Sequence, residues 1–338
     1  MTKSKTLKSN FHSRAISFAS ANRSQLAVWP AIVILVIIGG IVNSSFLTQR
    51  NLINVLQQAS VLAVLTLAML LVILVRKFDL SIESTVAFAP MLAALVIMES
   101  PAGWSASNLS GWIGFGISLA VGGLIGLVNG LLVVKLKLNA FITTLAMLIL
   151  VRGATLGISE GKTIVSPPAE MIWPGNGNVF GIPTAVVVAV VLYVFVGIFL
   201  RYNQVGRNLY AIGGNPLAAR AAGIRVDRTV IGVFVTAGLL AGLSGLMLSG
   251  RIDSVVAQQG TGYIFDVFAA LAIGAVSLNG GRGTVLGALS GVLFLSILAN
   301  ILVLAGVPSF WVDMSRGAII VLALILSRFT RGKDVEEE

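Results

Sequence analysis

The sequence predicts an all-α polytopic membrane protein, and three observations lead to that fold class. Hydrophobic residues make up 57% of the chain and charged residues only 11%, whereas a soluble domain carries about 25% charged residues. The charges fall in short clusters between long apolar runs. Cationic residues collect in every second loop, as expected of loops on the cytoplasmic side. A bilayer is therefore the expected solvent for most of this chain.

Ten apolar runs are candidates for membrane-spanning helices, each of which needs about 20 mainly apolar residues. They cover residues 26–42, 55–75, 84–98, 112–134, 139–157, 183–200, 229–249, 264–280, 284–304 and 313–327. The third, eighth and tenth runs are short, so tilted, broken and re-entrant helices remain open for them. We therefore expect a cytoplasmic amino-terminal tail over 1–25, a transmembrane domain over 26–328 and a cytoplasmic tail over 329–338.

The placement of lysine and arginine sets the orientation, because cytoplasmic loops retain these residues. With the amino terminus inside, the outer loops hold only Arg50, Lys162 and Arg251 of the 23 cationic residues. Arg152 and Arg316 fall inside spans, where a protein-lined path and snorkelling to the interface are both open. Shifting the count by one helix destroys this asymmetry. Ten spans with both termini in the cytoplasm follow.

The two halves of the chain resemble each other at helices five spans apart. The fourth span carries Gly122, Gly126 and Gly130 at four-residue spacing, and the ninth carries Gly283, Gly287 and Gly291. Arg-Gly pairs recur in the fifth and tenth spans, and Asp-containing ends recur in the second and seventh. Because five is odd, the repeats are inverted in the membrane, which is a transporter architecture. Close helix packing is the simpler function of the glycine rows themselves.

Enzymatic chemistry is not expected from this composition. The sequence has no cysteine and one histidine, His12 in the amino-terminal tail, so no metal site, cofactor or nucleophile–base pair is predicted. Nucleic-acid binding is not expected either, since the cations are scattered over separate loops instead of forming one basic face. What remains is a neutral, polar lining, which suits an uncharged, hydroxyl-rich solute driven by energy supplied elsewhere.

Several polar residues are candidates to line a translocation path, although helix–helix hydrogen bonding is at least as open for each of them. Asp266 lies deepest of the acidic residues, and a helix-start role is the alternative for it. The candidate set is Gln57, Gln58, Asp79, Ser81, Asn129, Thr143, Thr144, Asp266 and Asn300.

A basic, glycine-bearing loop over 201–228 lies between two apolar runs and is predicted to be cytoplasmic. Nothing in it suits hydrocarbon, so we expect a partner to dock there. A short amphipathic helix is predicted around Pro216–Gly223, with Asn215 as its cap and Pro216 in its first turn. Gly223 suits the left-handed residue that ends a helix. Arg207, Arg220 and Arg225 either pair with the partner or enforce orientation.

The run from Asn215 to Ile224 resembles the cytoplasmic coupling motif of ABC importer permeases, in which two alanines precede a glycine. More specifically, the chain resembles the permeases of simple-sugar importers of the ribose, xylose and autoinducer-2 type. Matching segments extend over residues 50–327: Asp79-Leu80-Ser81, Asn139–Leu145, Gly206–Ile224 and Gly260–Gly283. The chain departs from the family pattern at Leu217, where an acidic residue is usual, and around Asp79-Leu80-Ser81, which lacks the usual flanking glycines.

This resemblance implies a permease subunit for a pentose- or hexose-like sugar in the bacterial inner membrane. It also implies two cytoplasmic ATPase subunits, a second identical or different permease, an external solute-binding protein and surrounding membrane lipid as partners. The residues assigned to ATPase coupling are Gly206, Arg207, Asn215, Pro216, Ala218, Ala219, Arg220 and Gly223. The alternatives are a branched-chain amino-acid permease of related architecture, which needs charged groups in its path, and an ion-coupled secondary carrier.

Overall fold

The computed structural model describes residues 28–99 and 109–312, followed by 314, 315, 317, 318 and 321. This part of the chain is built from helices. They are α1 Val28–Val42, α2 Gln49–Leu74, α3 Ile82–Ile97, α4 Gly111–Val134, α5 Ala140–Ser159, α6 Ala169–Asn176, α7 Thr184–Tyr202, α8 Gln204–Gly214, α9 Pro216–Ala221, α10 Val226–Ile252, α11 Tyr263–Ile273 and α12 Val285–Leu304.

Two small antiparallel ribbons accompany the helices. Strand β1, Ile164–Val165, pairs with β4, Ser254–Val255. Strand β2, Asn178–Val179, pairs with β3, Ile182–Pro183. The first ribbon joins the loop after the fifth predicted span to the loop after the seventh, so these two loops meet on one side of the molecule.

The structure confirms a polytopic helical membrane protein. Among the residues that the structure describes, six helices are long and apolar enough to cross a bilayer, namely α2, α4, α5, α7, α10 and α12. Three further predicted spans correspond to the shorter apolar helices α1, α3 and α11. Most of the tenth predicted span, including Asp313 and Arg316, lies outside the described residues, as do both terminal tails.

Two helix boundaries differ clearly from the predicted spans, each for a local reason. Helix α2 begins at Gln49, earlier than residue 55, because the Thr48 side chain accepts a hydrogen bond from the Asn51 N–H and caps it. Helix α11 has only 11 residues and ends at Ile273, where the prediction continued to residue 280. The chain turns there at Gly274, and Ala275 takes a left-handed φ of 55°. The eighth span is therefore broken.

Helices α2 and α10 form the centre of the bundle. Every residue of α2 from Ala59 to Leu74 is buried, and α10 contacts α2, α3 and α4. Helices α5 and α7 instead turn apolar side chains such as Ile149 and Val194 outward. This contrast is expected of a membrane bundle, whose outer helices face lipid.

The glycine rows serve helix packing, as their simpler interpretation predicts. A Cβ on Gly122 or Gly126 would collide with backbone oxygens of α10, at Gly238 and Phe234. In the ninth predicted span, a Cβ on Gly291 would collide with the Ala270 carbonyl oxygen of α11. Small residues thus allow backbone contact between helices.

Candidate coupling and translocation sites

Helix α9, Pro216–Ala221, lies in the 201–228 loop and begins where the sequence predicts, although it ends two residues before the predicted Gly223. The Asn215 side chain accepts hydrogen bonds from the N–H groups of Leu217 and Ala218, at 3.0 and 3.1 Å. Pro216 occupies the first turn, where its missing N–H has no helical partner to lose. Both predicted starting signals are confirmed.

The carboxyl end of α9 closes with a glycine, also as predicted. Gly223 has a φ of +81°, a conformation that a side chain disfavours. Its N–H donates to the Arg220 carbonyl, and the Ile224 N–H donates to the Ala219 carbonyl. This pattern is a Schellman motif, in which the hydrophobic residue after the glycine packs back on the helix. Ala219 is correspondingly buried, which fixes α9 against the bundle.

The outer face of α9 is exposed and partly apolar. The Leu217 side chain is 75% accessible, and Ala218 and Arg220 are also exposed. Arg220 forms an ion pair with Asp227 in the first turn of α10, at 2.6 Å. Arg207 donates to the Tyr202 carbonyl of the preceding helix. The predicted coupling residues therefore lie on α9, at its two ends and on α8, and two of them, Ala219 and Gly206, are buried.

Helix α8 attaches this face to the bundle through a junction of three segments. We define the glycine junction by five residues: Leu74 at the end of α2, Arg76 just after it, Gly213 and Gly214 at the end of α8, and Gly281 before α12. Arg76 donates to the Gly214 carbonyl at 2.8 Å, and the Gly281 N–H donates to the Leu74 carbonyl at 3.2 Å. A Cβ on Gly213 would collide with the Leu74 carbonyl oxygen. The end of α8 is thus in direct backbone contact with the end of α2 and with the segment that precedes α12.

The short helices α3 and α11 meet at their amino ends. The Glu83 carboxylate, in the first turn of α3, accepts a hydrogen bond from the N–H of Ile264, in the first turn of α11. Arg152 of α5 lies 3.6 Å from the same carboxylate and also donates to the carbonyls of Ala257 and Gln259. Arg152 is therefore held by groups of the protein, and a place for it in the translocation path stays a prediction.

Buried Gln259 completes this meeting point. Its side chain donates to the Val86 carbonyl of α3 at 2.8 Å and to Ser249 of α10 at 3.1 Å. The segment between α10 and α11 is thereby bonded to helices of the other half of the chain. Broken helices whose amino ends face the protein interior are typical of transporters.

A small polar cavity lies between α2, α11 and α12. It is lined by Gln58, Tyr263, Asp266 and Ser296, together with apolar residues. Two predicted path residues, Gln58 and Asp266, are thus brought together, and Tyr263 and Ser296 are additions that the sequence analysis missed. The sequence contains no motif that marks either residue, since each is a single polar side chain within an apolar run.

The remaining predicted path residues have other partners. Asn300 exchanges side-chain hydrogen bonds with Asn51, and Thr143 and Thr144 bond to carbonyls of their own helix. Asp79, Ser81 and Asn129 form a buried network with one another. Gln57 is half-buried on α2. The polar residues thus divide into one set at the cavity and a larger set that joins helices or caps turns.

A second cavity, of about 900 Å³, is a mainly apolar groove between α2, α7 and α12. Its walls include Ala59, Val190, Val194 and Leu289, with a few polar side chains such as Tyr210. Such a lining offers few hydrogen bonds to a hydroxyl-rich solute. The groove therefore suits hydrocarbon, and the small polar cavity is the better candidate for the path.

A multi-pass helical bundle with an interior polar cavity and a projecting capped helix defines a membrane transport permease. Comparison with known proteins agrees, since residues 51–324 match the family described as the permease component of branched-chain amino acid transport systems. The ribose import permease of Escherichia coli K12 is 35% identical over 300 residues, covering 88% of this chain and 91% of that protein.

Two further relatives come from other bacteria. The ribose import permease of Bacillus subtilis is 35% identical, covering 87% of this chain and 90% of its own length. An L-arabinose ABC transporter permease of Azospirillum brasilense is 33% identical, covering 85% and 83%. The chain belongs to this family of ABC importer permeases and, within it, groups with the simple-sugar branch, as a multi-pass protein of the bacterial inner membrane. The branched-chain amino-acid alternative is not favoured.

Proposed function

We propose that the chain forms the translocation path of an ATP-driven importer for a pentose- or hexose-like sugar. The relatives named for ribose and arabinose support the substrate class. The exposed Leu217 on a helix capped at both ends is the structural observation that carries the importer assignment. On the cytoplasmic loop that resembles the coupling motif, we take this apolar side chain as the anchor that a partner surface buries.

The partners follow from the chain's similarity to sugar importer permeases. Cytoplasmic ATPase subunits receive α9 in a groove, and hydrolysis of ATP occurs there and not in this chain. An external binding protein delivers the sugar, and a second permease, identical or different, completes the path. Exposed apolar residues such as Ile149 and Val190 contact membrane lipid.

A continuous mechanical route links α9 to the polar cavity. Helix α9 follows α8, the glycine junction joins α8 to α2 and α12, and these two helices carry Gln58 and Ser296 into the cavity wall. The cavity has a volume of about 40 Å³, far below the roughly 300 Å³ at which small-molecule pockets begin. We infer that this conformation is closed to sugar, and that movement of α9 opens the space beside Gln58 and Asp266. The other candidate residues of the translocation path stay predictions: Gln57, Asp79, Ser81, Asn129, Thr143, Thr144 and Asn300.

The inverted repeat and the cytoplasmic termini belong to the same proposal. Helix α2 contacts α11 and α12 of the second half, as α10 contacts α3 and α4 of the first. The loops predicted to be cytoplasmic meet at the glycine junction, whereas the loops predicted to be external meet at the β1–β4 ribbon. Both patterns support ten spans in two inverted sets of five.

The first experiment is a pull-down of the full-length chain, co-expressed with its ATPase and binding protein, comparing wild type with Gly223→Glu. We expect the variant to insert in the membrane but to lose the ATPase. The matched control is Gly161→Glu, because Gly161 also has a left-handed φ, of +71°, with open space around it, and lies on the predicted outer side.

Uptake into liposomes then identifies the transported class. We expect accumulation of ribose, arabinose or a related sugar that requires ATP on the ATPase side. Sugar uptake without ATPase, abolished by dissipating ion gradients, would instead establish a secondary carrier. Normal uptake by Gly223→Glu would refute the coupling assignment.

A further inference from the structure

The turn between α2 and α3 contains a buried carboxyl group without a cationic partner. Asp79 is 1% exposed, Ser81 1% and Asn129 of α4 0%. No ion pair to Asp79 is present among the described residues. An isolated ionised carboxylate in such surroundings is strongly disfavoured relative to water.

One carboxyl oxygen of Asp79 is fully engaged. Its Oδ1 accepts hydrogen bonds from the N–H of Ser81 at 3.1 Å and from the Ser81 hydroxyl at 2.6 Å. The Asn129 Nδ2 donates to the same oxygen at 3.2 Å and to the Ser81 Oγ at 2.7 Å. The two hydrogens of the Asn129 amide are therefore both used.

Two oxygens of this cluster are buried and lack any hydrogen-bond partner, namely Oδ2 of Asp79 and Oδ1 of Asn129. Both are acceptors when Asp79 is ionised, so they cannot satisfy each other. They belong to two planar groups that one hydrogen bond already joins. A single proton on Asp79 supplies the missing donor for both.

We propose that Asp79 and Asn129 form a proton-binding pair, in which neutral Asp79 donates its Oδ2–H to Asn129 Oδ1. This bond and the one from Asn129 Nδ2 to Asp79 Oδ1 close a carboxylic acid–amide ring. Ser81 stabilises the ring from one side. The proton comes from water and no other bond changes.

Other occupants fit the cluster less well. Hard divalent cations take about six or more oxygen ligands, whereas this cluster has two oxygens to spare. A bridging water would satisfy both oxygens but would leave the negative charge buried. The other groups that bond to the turn are uncharged, since Thr144 of α5 donates to the Phe78 carbonyl. A proton removes both the charge and the unpaired acceptors.

The consequence is that Asp79 positions the turn instead of carrying charge. Arg76, three residues earlier, donates to Gly214 in the glycine junction, so a rigid turn fixes one member of that junction. Because an asparagine at position 79 completes an equivalent amide–amide ring, Asp79→Asn should keep the thermal midpoint of the purified protein close to that of wild type. Asp79→Ala removes the ring, leaves Asn129 with Ser81 as its remaining partner, and should lower the ratio of folded to unfolded protein by about tenfold.

Infrared spectroscopy of the full-length chain in liposomes tests the proton directly. Wild type with carbon-13-labelled aspartate should show the carbonyl stretch of a protonated carboxylic acid at neutral pH. That band should disappear in Asp79→Asn and persist in the control Asp253→Asn, which replaces an exposed aspartate. Absence of a protonated-aspartate band from wild type would overturn the proposal, whatever the variants do, and so would its persistence in Asp79→Asn.

The exchanged pair Asp79→Asn with Asn129→Asp provides a second test. It keeps one acid and one amide in the ring, so we expect the band to return and thermal stability to recover relative to Asn129→Asp alone. If the exchanged pair shows no protonated-carboxyl band and is no more stable than Asn129→Asp, the ring does not hold a proton and the proposal is wrong. These readouts do not depend on the identity of the sugar.

Discussion

Helix α9 and the meeting point of α3 with α11 are built in opposite ways. Every hydrogen bond that starts or ends α9 lies between Asn215 and Ile224. The α3–α11 meeting point instead joins Glu83, Arg152 and Ile264 from three distant parts of the chain. The first region is exposed and defined locally, so it suits a detachable contact. The second is buried and defined by tertiary packing, so it suits a fixed pivot.

Removing the charge of Arg152 should have the largest effect on stability, because Arg152 belongs to the buried meeting point of α3 and α11. Breaking a buried ion pair by deleting one partner typically destabilises by about 3–5 kcal/mol. We expect Arg152→Gln to lower the thermal midpoint of the purified protein strongly. Molecules that still fold should transport sugar, since no charged solute needs this arginine.

The double variant Arg152→Gln with Glu83→Gln is the control for this prediction. It removes both charges together and should therefore be more stable than Arg152→Gln alone. Equal midpoints for the single and double variants would show that the pair does not stabilise the pivot. Sugar uptake abolished in well-folded Arg152→Gln would place the arginine in the path.

The glycine junction connects the two regions, and Gly213→Ala should have the next largest effect. The new methyl group meets backbone atoms of Leu74 and Gly281, which cannot swing aside. Overpacking of this kind costs about 1–3 kcal/mol. We expect ATPase activity in the assembled complex to persist while sugar uptake per ATP falls.

The neighbouring Gly214→Ala is the matched control, because nothing lies within 4 Å of its Cβ position. The two variants should differ in coupling ratio, measured as sugar transported per ATP hydrolysed in liposomes. Equal ratios would mean that the junction does not transmit motion from α8.

These differences explain how far the sequence could predict the structure. Asn215, Pro216 and Gly223 each act on backbone atoms a few residues away, so their roles in α9 could be predicted from local rules. The bonds of Gln259 depend on contacts across the bundle, and no local pattern signals them. Asp79, Ser81 and Asn129 were predicted together as path residues, but the bonds from Asn129 to the other two could not be foreseen, because they join residues 50 and 48 positions apart.

Within the locally defined region, loss of the Asn215 cap should have a smaller effect. Replacing a capping asparagine by alanine costs about 1 kcal/mol. Asn215→Ala should fray α9 and weaken ATPase retention in a pull-down, with little change in the thermal midpoint of the bundle. Asn215→Asp supplies an equivalent acceptor and should retain the ATPase; equal weakening by both variants would remove the cap from the explanation.

The smallest effect on stability is expected from substitutions at the Arg220–Asp227 pair. These substitutions also test whether Arg220 contacts the ATPase or only enforces the orientation of the loop. Both side chains are more than half exposed, and exposed pairs contribute about 0.2–1 kcal/mol. Arg220→Gln and Asp227→Asn should therefore shift the thermal midpoint little and equally. If Arg220 also contacts the ATPase, only Arg220→Gln will weaken the pull-down, and raising the salt concentration will weaken wild type in the same direction. Equal retention of the ATPase by both variants would mean that Arg220 serves only the membrane orientation of the chain. The docking contact would then be assigned to apolar Leu217.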